Sequence, residues 1–416
     1  MRKNSKKKIT GAFFGTIVEY YDYSLYGFSA GILAEKFFPG TDKVSSLMYV
    51  FAIYALSYLA KPFGAIFFSK IGDKYGRIIS LKLTIFGIAI PTVIIGLLPE
   101  NQHIGSTITL ILVFCRFFQG FFTAGEYDGA AIYVIEHMDQ KHNYTASAIT
   151  RGAGVAGLLL GIASTNFFNS SIFPEWCWRI PFLLSLPLVG ITLYYRKFLE
   201  ETPDFVKSQN NTVPFSNIII FIKTQWKLLL IVTMLAGGFG VTYQIAIIFM
   251  KHYLLLVIPG ASNIMSSFSV IIVLVFGITM PIAGVLADRF GRELILNTSL
   301  LLVLISCVVL IAAIKMQLLN LALIGCLLLA IAVSPFNALS HAVLIRAFKV
   351  NERYRGIGLG HTTGSVLMSG TASYICLLFI KKYNIIFFPI IYIALFAIIA
   401  YLMIRILDKN KDTHEI

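Results

Sequence analysis

Six ionisable side chains stand inside long apolar runs in the first half of the chain: Glu19, Asp22, Arg116, Glu126, Asp128 and Arg151. At roughly 2.5–3.5 kcal/mol each for insertion, six unpaired charges would cost on the order of 15–20 kcal/mol, more than the net stability of a typical fold. They are therefore paired, protonated or set around a water-filled cavity. A carboxyl group so placed exchanges protons, and a guanidinium beside it, which never loses its own, supplies a fixed positive charge. Helical spacing gathers these groups. At 100° per residue, Glu19, Asp22, Tyr23 and Tyr26 fall within about a 100° arc of one helix. Arg116, Gln119, Thr123, Glu126 and Tyr127 do the same on another. A polar stripe on an apolar helix faces protein rather than lipid, so the two stripes are natural partners. Two readings stay open: a fixed polar clasp between helices, or a site that titrates in function.

The elements that position them follow from composition. With 57% hydrophobic residues, 13% charged and a mean hydropathy of +0.80, the chain has too little polar surface to cover a soluble globule and reads as an integral membrane protein. Its net charge of +14 lies in small basic groups between apolar runs, which speaks against nucleic acid as a partner. Five cysteines, at 115, 177, 307, 326 and 376, show no C-x-x-C or metal spacing and read as small core residues. Neither a nucleophile, a metal set nor a phosphate loop is present to suggest an enzyme or a cofactor. The basic start, MRKNSKKK, precedes an apolar stretch with two acids and no clear cleavage site, so it reads as a retained first span.

Apolar runs predict twelve spanning helices, near 10–36, 45–69, 79–98, 104–135, 146–168, 178–198, 228–255, 264–286, 294–314, 318–345, 356–380 and 385–406. With the first residues placed inside, twenty-four Lys and Arg fall on inside segments and six on outside ones, which predicts two cytoplasmic termini. FLEETPDFVKSQNNTVPF, at 198–215, is the one long hydrophilic stretch within the chain. It predicts a six-helix half over 1–200, a cytoplasmic linker over 201–226 and a second half over 227–416. The tail after Ile406 is too short for a coiled coil or an added domain. An internal repeat supports two halves. KPFGAIFFSKIGDKYGR at 61–77 returns in short form as ADRFGR at 287–292, so that Asp73, Gly76 and Arg77 recur as Asp288, Gly291 and Arg292, half a chain later.

These residues resemble the major facilitator superfamily, and within it the metabolite:proton symporter branch that includes bacterial proline/betaine, α-ketoglutarate, citrate and shikimate transporters. GTIVEYYDYSLYGF at 15–28 is similar to the branch's first-span signature, and RFFQGFFTAGEYDGA at 116–130 to its fourth-span pattern. WRIPFLL at 178–184 and LEETPDF at 199–205 match the end of the first half. The proline/betaine type is nearest. The match is dense over residues 1–205 and rests mainly on ADRFGR beyond them. Ala124, Asp128 and Arg151 depart from the branch pattern, and the long C-terminal extension of osmosensing betaine carriers is absent, which argues against osmotic activation.

The resemblance implies a twelve-helix facilitator in two pseudo-symmetric halves, its central cavity opening alternately to either side. It places a proton-coupling pair on Asp22 and Arg116, with Glu19 and Glu126 nearby. No acid falls within a predicted span of the second half; Asp288, Glu293 and Glu352 are expected in loops. It also places gating on Asp73 and Arg77, the Asp capping a helix of the opposite half and the Arg meeting Glu136, and by repetition on Asp288 and Arg292. Tyr20, Tyr21, Tyr23 and Tyr26, with Trp226, Tyr243 and Gln244, offer rings and an amide for a quaternary ammonium, or are packing residues. Pro335, Asn337 and His341, with His361 and Thr362, form a polar break in the second half. Arg151 can grip a carboxylate with two parallel hydrogen bonds, or merely neutralise Asp128 or Glu126. Arg151, Tyr23, Tyr26, Gln119, Tyr127, Tyr243, Gln244, Asn337 and His341 are thus the expected solute-binding residues. The expectation is a monomeric bacterial inner-membrane symporter carrying protons with a small carboxylate-bearing solute, a zwitterion ahead of a dicarboxylate. An uncoupled facilitator and a transporter-derived sensor are the rivals.

Overall fold

A run of some twenty apolar residues in a bilayer leaves its backbone polar groups no partner but one another, and each such run here is a helix. The computed structural model describes residues 3–39, 42–75, 77–100, 106–124, 142–197, 218–348 and 350–412. Twelve spanning elements follow in order. The first half holds α1 (Lys3–Phe28, continued past a break at Ser29 by Ala30–Phe37), α2 (Lys43–Tyr75), α3 (Arg77–Leu97), α4 (Ser106–Thr123), α5 (Asn143–Phe168) and α6 (Glu175–Arg196). The second holds α7 (Ile220–Val257), α8 (Ser262–Phe290), α9 (Arg292–Lys315), α10 (Leu319–Ala347), α11 (Gly356–Tyr383) and α12 (Phe388–Asp412). Among the described residues nine segments are long and apolar enough to cross a bilayer by length and composition. Within α3 and α4, Lys82–Leu97 and Thr107–Thr123 are shorter apolar stretches of the described residues.

An even number of crossings returns the chain to the side where it began, here named the termini face; the other is the far face. Helices α1, α5 and α6 pack together, as do α2, α3 and α4; in the second half α7 packs on α11 and α12, and α10 on α8 and α9. The halves meet where α5 lies along α8 and α10, and where α2 meets α11. Glycine permits the tightest crossings. A methyl group added at Gly120 of α4 would fall on the Ser57 carbonyl of α2. Gly120→Ala is therefore expected to destabilise the detergent-solubilised protein by about 1–3 kcal/mol, whereas Gly152→Ala, with open space around its Cβ, should leave the melting temperature unchanged.

The turn of the repeated motif is tighter than expected. Asp288 lies in the last turn of α8 and Glu293 in the first turn of α9, so both stand on helix ends rather than in a loop. Glu352 likewise lies in the helix Val350–Gly364 that leads into α11. Gly291 alone joins α8 to α9, at φ +88, a left-handed conformation that explains why glycine occupies the motif. Of the expected linker, 201–217 lies outside the described residues; from Ile218 the chain is helical into α7, with a non-helical kink at Gln225. Two spans are interrupted by π-helical turns, Gln244–Phe249 in α7 and Ser365–Ser369 in α11. The five cysteines are free and buried.

Candidate functional site

Between the halves lies a cavity of about 810 Å³ including its open mouth. Its wall takes Glu19, Tyr20 and Tyr23 from α1, Tyr58 and Lys61 from α2, and Arg151 from α5. Phe239 and Tyr243 of α7, Phe276 of α8, Asn337 of α10 and His361 of α11 complete it. Lys61, Arg151, His361 and Leu344 stand in the part of their helices nearer the termini face, so the cavity leans that way. Above it, towards the far face, Gln244 Oε1 accepts from Tyr54 OH at 3.3 Å and Tyr23 OH at 3.5 Å while its Nε2 donates to Ser373 Oγ at 3.1 Å, tying the two halves.

Arg151 reaches across the same seam with its whole fork. Nε donates to His341 Nδ1 at 3.1 Å, Nη2 to Ser340 Oγ at 2.9 Å, and Nη1 to Tyr20 OH at 3.2 Å. An acceptor Nδ1 makes His341 the neutral tautomer with its proton on Nε2. Tyr243, whose hydroxyl is buried without a partner, adds a free donor to the wall.

Behind Tyr23, Lys61 and Thr123 opens a side pocket of about 270 Å³ lined by Asp22, Ser57, Arg116 and Gln119. Asp22 and Arg116 are each 1% exposed, yet they form no ion pair. Arg116 donates to Gln119 Oε1 at 2.7 Å and Ser57 Oγ at 3.2 Å, and its guanidinium lies over the rings of Tyr26 and Tyr54, 4.2 and 4.9 Å from their centroids. Among the described residues neither Asp22 oxygen makes a well-formed hydrogen bond, although the Ser185 hydroxyl of α6 lies close enough to interact with it. The closed clasp suggested by the two stripes is thus absent in this conformation: neutral acceptors take the terminal nitrogens of the arginine and tyrosine faces cover it, while its Nε makes no hydrogen bond among the described residues. Glu19 has a cation of its own, since the buried Arg196 at the end of α6 lies within its electrostatic reach.

Of the expected solute-binding residues, Tyr23, Arg151, Tyr243 and Asn337 line the cavity, while Gln119 lies in the side pocket. Tyr26, Gln244 and His341 stand behind the wall as supports. Glu126, Tyr127, Asp128 and Glu136 lie outside the described residues, as do the side chains of Asp73 and Arg77, which close α2 and open α3. Trp226 is exposed on the outer surface and Tyr21 is buried against Pro181 O. Tyr58, Lys61, Phe239 and Phe276 are among the wall residues that escaped the sequence reading. Lys61 sits over the Tyr58 ring at 4.5 Å; its place inside an apolar run was the available signal.

Comparison with known proteins places this architecture. Residues 8–214 match the family described as sugar (and other) transporter, and residues 259–415 match the major facilitator superfamily. A glycine betaine/proline/ectoine/pipecolic acid transporter, OusA of Dickeya dadantii (strain 3937), is 31% identical over 95% of this chain and 82% of its own length. The chain belongs to the major facilitator superfamily. The proline/betaine transporter of Escherichia coli (strain K12) is 30% identical over 95% of this facilitator and 81% of the relative. The ectoine/proline transporter ProP of Corynebacterium glutamicum is 28% identical over 99% and 85%. Solved structures agree on the fold: a D-xylose-proton symporter superposes with a TM-score of 0.74 at 15% identity over 96% and 97% of the two chains. The inward open conformation of the xylose transporter XylE from E. coli gives 0.75 at 16%, over 95% and 94%. The facilitator is a multi-pass membrane transporter and not an enzyme.

Contacts between the halves of this facilitator lie at both faces. At the far face the Lys381 ammonium of α11 is 3.0 Å from the Asp42 carboxylate before α2, Phe51 packs on Phe249 and His252, and His252 Nε2 donates to Gly27 O at 2.9 Å. At the termini face Asp288 of α8 accepts from the backbone of Tyr144 (3.2 Å) and Thr145 (2.8 Å) and from the Thr145 hydroxyl (2.6 Å), capping α5 of the opposite half. Arg292, by contrast, pairs within its own half, with Asp408 of α12. Removing the Asp288 cap should cost about 0.5–2 kcal/mol in favour of the state parted at that face, roughly a two- to thirtyfold shift in population. Cysteine accessibility in Asp288→Ala should rise on the termini side; a collapse of solute affinity at fixed accessibility would contradict this role.

Proposed function

We propose that this facilitator is a proton-coupled symporter that imports a small carboxylate-bearing solute by alternating access, a zwitterion such as proline or betaine. We place it in a bacterial inner membrane as a monomer, with the termini face cytoplasmic. One observation carries the reading: the cavity wall holds the Arg151 guanidinium together with a group of aromatic rings, and a second pocket beside it holds a buried Asp22 with no ion pair among the described residues. The guanidinium fork suits a carboxylate. Tyr23, Tyr58, Phe239, Tyr243 and Phe276 suit a quaternary or secondary ammonium through cation–π contact, and Glu19 on the same wall adds a negative charge.

Burying a carboxylate with no cation and only the Ser185 hydroxyl beside it is costly, whereas the neutral acid is tolerated. Asp22 in this conformation is accordingly read as the proton-bearing form, and Arg116, now held by Gln119 and Ser57, as the cation that would draw the proton off when the two approach. Proline, betaine and ectoine, named for the relatives, all combine a carboxylate with a positive centre. A dicarboxylate is the second reading, favoured by Lys61, which sets another cation on the wall. Proteoliposome uptake of labelled proline, betaine and a dicarboxylate, with and without a pH gradient, tests both. Accumulation of a zwitterion only under the gradient supports the proposal; equal uptake without it leaves a facilitator.

A further inference from the structure

At the far face a buried cation, Lys251, lies in the seam between the halves with no acid paired to it among the described residues. Lys251 is 8% exposed, and its ammonium is 3.1 Å from Asn166 Oδ1 of α5, its one hydrogen bond among the described residues. The Asn166 amide donates in turn to Ser266 O of α8. Two other lysines of this face have carboxylates, Lys36 meeting Glu100 and Glu175, each at 3.2 Å, and Lys381 meeting Asp42, while Lys43, Lys315 and Lys382 are exposed to solvent. An ammonium has three donors to satisfy, and one neutral acceptor in a buried seam leaves it poorly compensated. A buried apolar side chain would fill the same space at lower cost, so packing alone does not account for a lysine here.

The segment that carries it is built to part from α5. Lys251 belongs to Met250–Val257, joined to the rest of α7 through the π-helical turn Gln244–Phe249, an irregularity frequent at functional sites. Among the described residues its hydrogen bonds to the first half are those of Lys251 to Asn166 and of His252 to Gly27, beside the packing of His252 on Phe51. Any opening of the far face separates both and turns Lys251 towards the vestibule without a partner.

We propose that Lys251 forms an outer capture site for the carboxylate of the solute, occupied when the far face is open and given up to Asn166 when it closes. This rests on the reading of the solute as a carboxylate imported from the far side. Arg151, deeper in the cavity, then receives the same carboxylate, so the two cations act in succession.

The test uses Lys251→Met, which suits the buried seam, and Lys251→Arg, which keeps the charge, in proteoliposomes with labelled betaine and proline. Lys251→Met should raise the KM for influx about tenfold with its maximal rate retained. Efflux should keep its KM and lose maximal rate, because without a gradient the first-order rates in the two directions must stay equal. Lys251→Arg should recover most of the influx affinity. An influx KM unchanged in Lys251→Met, or one raised equally for influx and efflux, overturns the outer site while leaving the transport reading intact. A wild-type protein that moves neither solute nor any other carboxylate overturns both.

Discussion

Replacing Asp22 with asparagine is expected to abolish accumulation of solute against its gradient while leaving exchange across a solute-loaded membrane in place. The side chain keeps its shape and its buried position at 1% exposure but has no proton to release. With one proton per solute, each unit of pH gradient supports about a tenfold accumulation ratio, since one unit corresponds to 1.36 kcal/mol. For the variant the ratio should fall to one at every gradient. Glu19→Gln should do less, because Arg196 serves Glu19 as a standing partner. Wild-type accumulation in Asp22→Asn at the same gradient would remove Asp22 as the proton carrier.

Arg151→Lys should weaken apparent affinity tenfold or more, about 1.4 kcal/mol, with the protein otherwise well folded. The guanidinium here spreads three donors over His341, Ser340 and Tyr20. A carboxylate that takes two of them in parallel gains a geometry that an ammonium cannot reproduce. It also releases the bridge from α5 to α10, so binding and loosening of the seam become one event. Combining Arg151→Gln with Asp128→Asn separates solute contact from charge balance: wild-type affinity in the double variant would reduce Arg151 to a counter-charge.

Much of this was legible in the chain because period and hydropathy are local properties. The apolar runs mark all twelve spans, and the 100° arc that collects Glu19, Asp22, Tyr23 and Tyr26 is the face of α1 turned from lipid. What spacing cannot give is the partner across a gap. Two stripes of opposite charge suggested that Asp22 and Arg116 would close on each other, yet Tyr26 and Tyr54 cover the arginine and Ser57 reaches it from α2. Arg196 looked like one more inside basic residue, and only the packing of α6 on α1 brings it to Glu19. The π-helical turns leave no mark that a hydrophobic period can register, because one extra residue in a turn is absorbed within an apolar run.

The Asp42 latch bears on how such a carrier lives in an acid medium. Asp42 accepts from the Ser45 hydroxyl and backbone and from Lys381, and these contacts, the Ser45 hydroxyl foremost, hold its carboxyl well below the usual carboxylate range. A carboxyl lowered in this way contributes at any pH above its ordinary value, and the contribution fades only as pH falls through the depressed one. If Asp22 carries the proton as proposed, acidification strong enough to load it would leave the Asp42–Lys381 pair charged. Under the proposed coupling, fuel and door would be separate: the bath could be made sour to drive uptake without unfastening this contact between the halves.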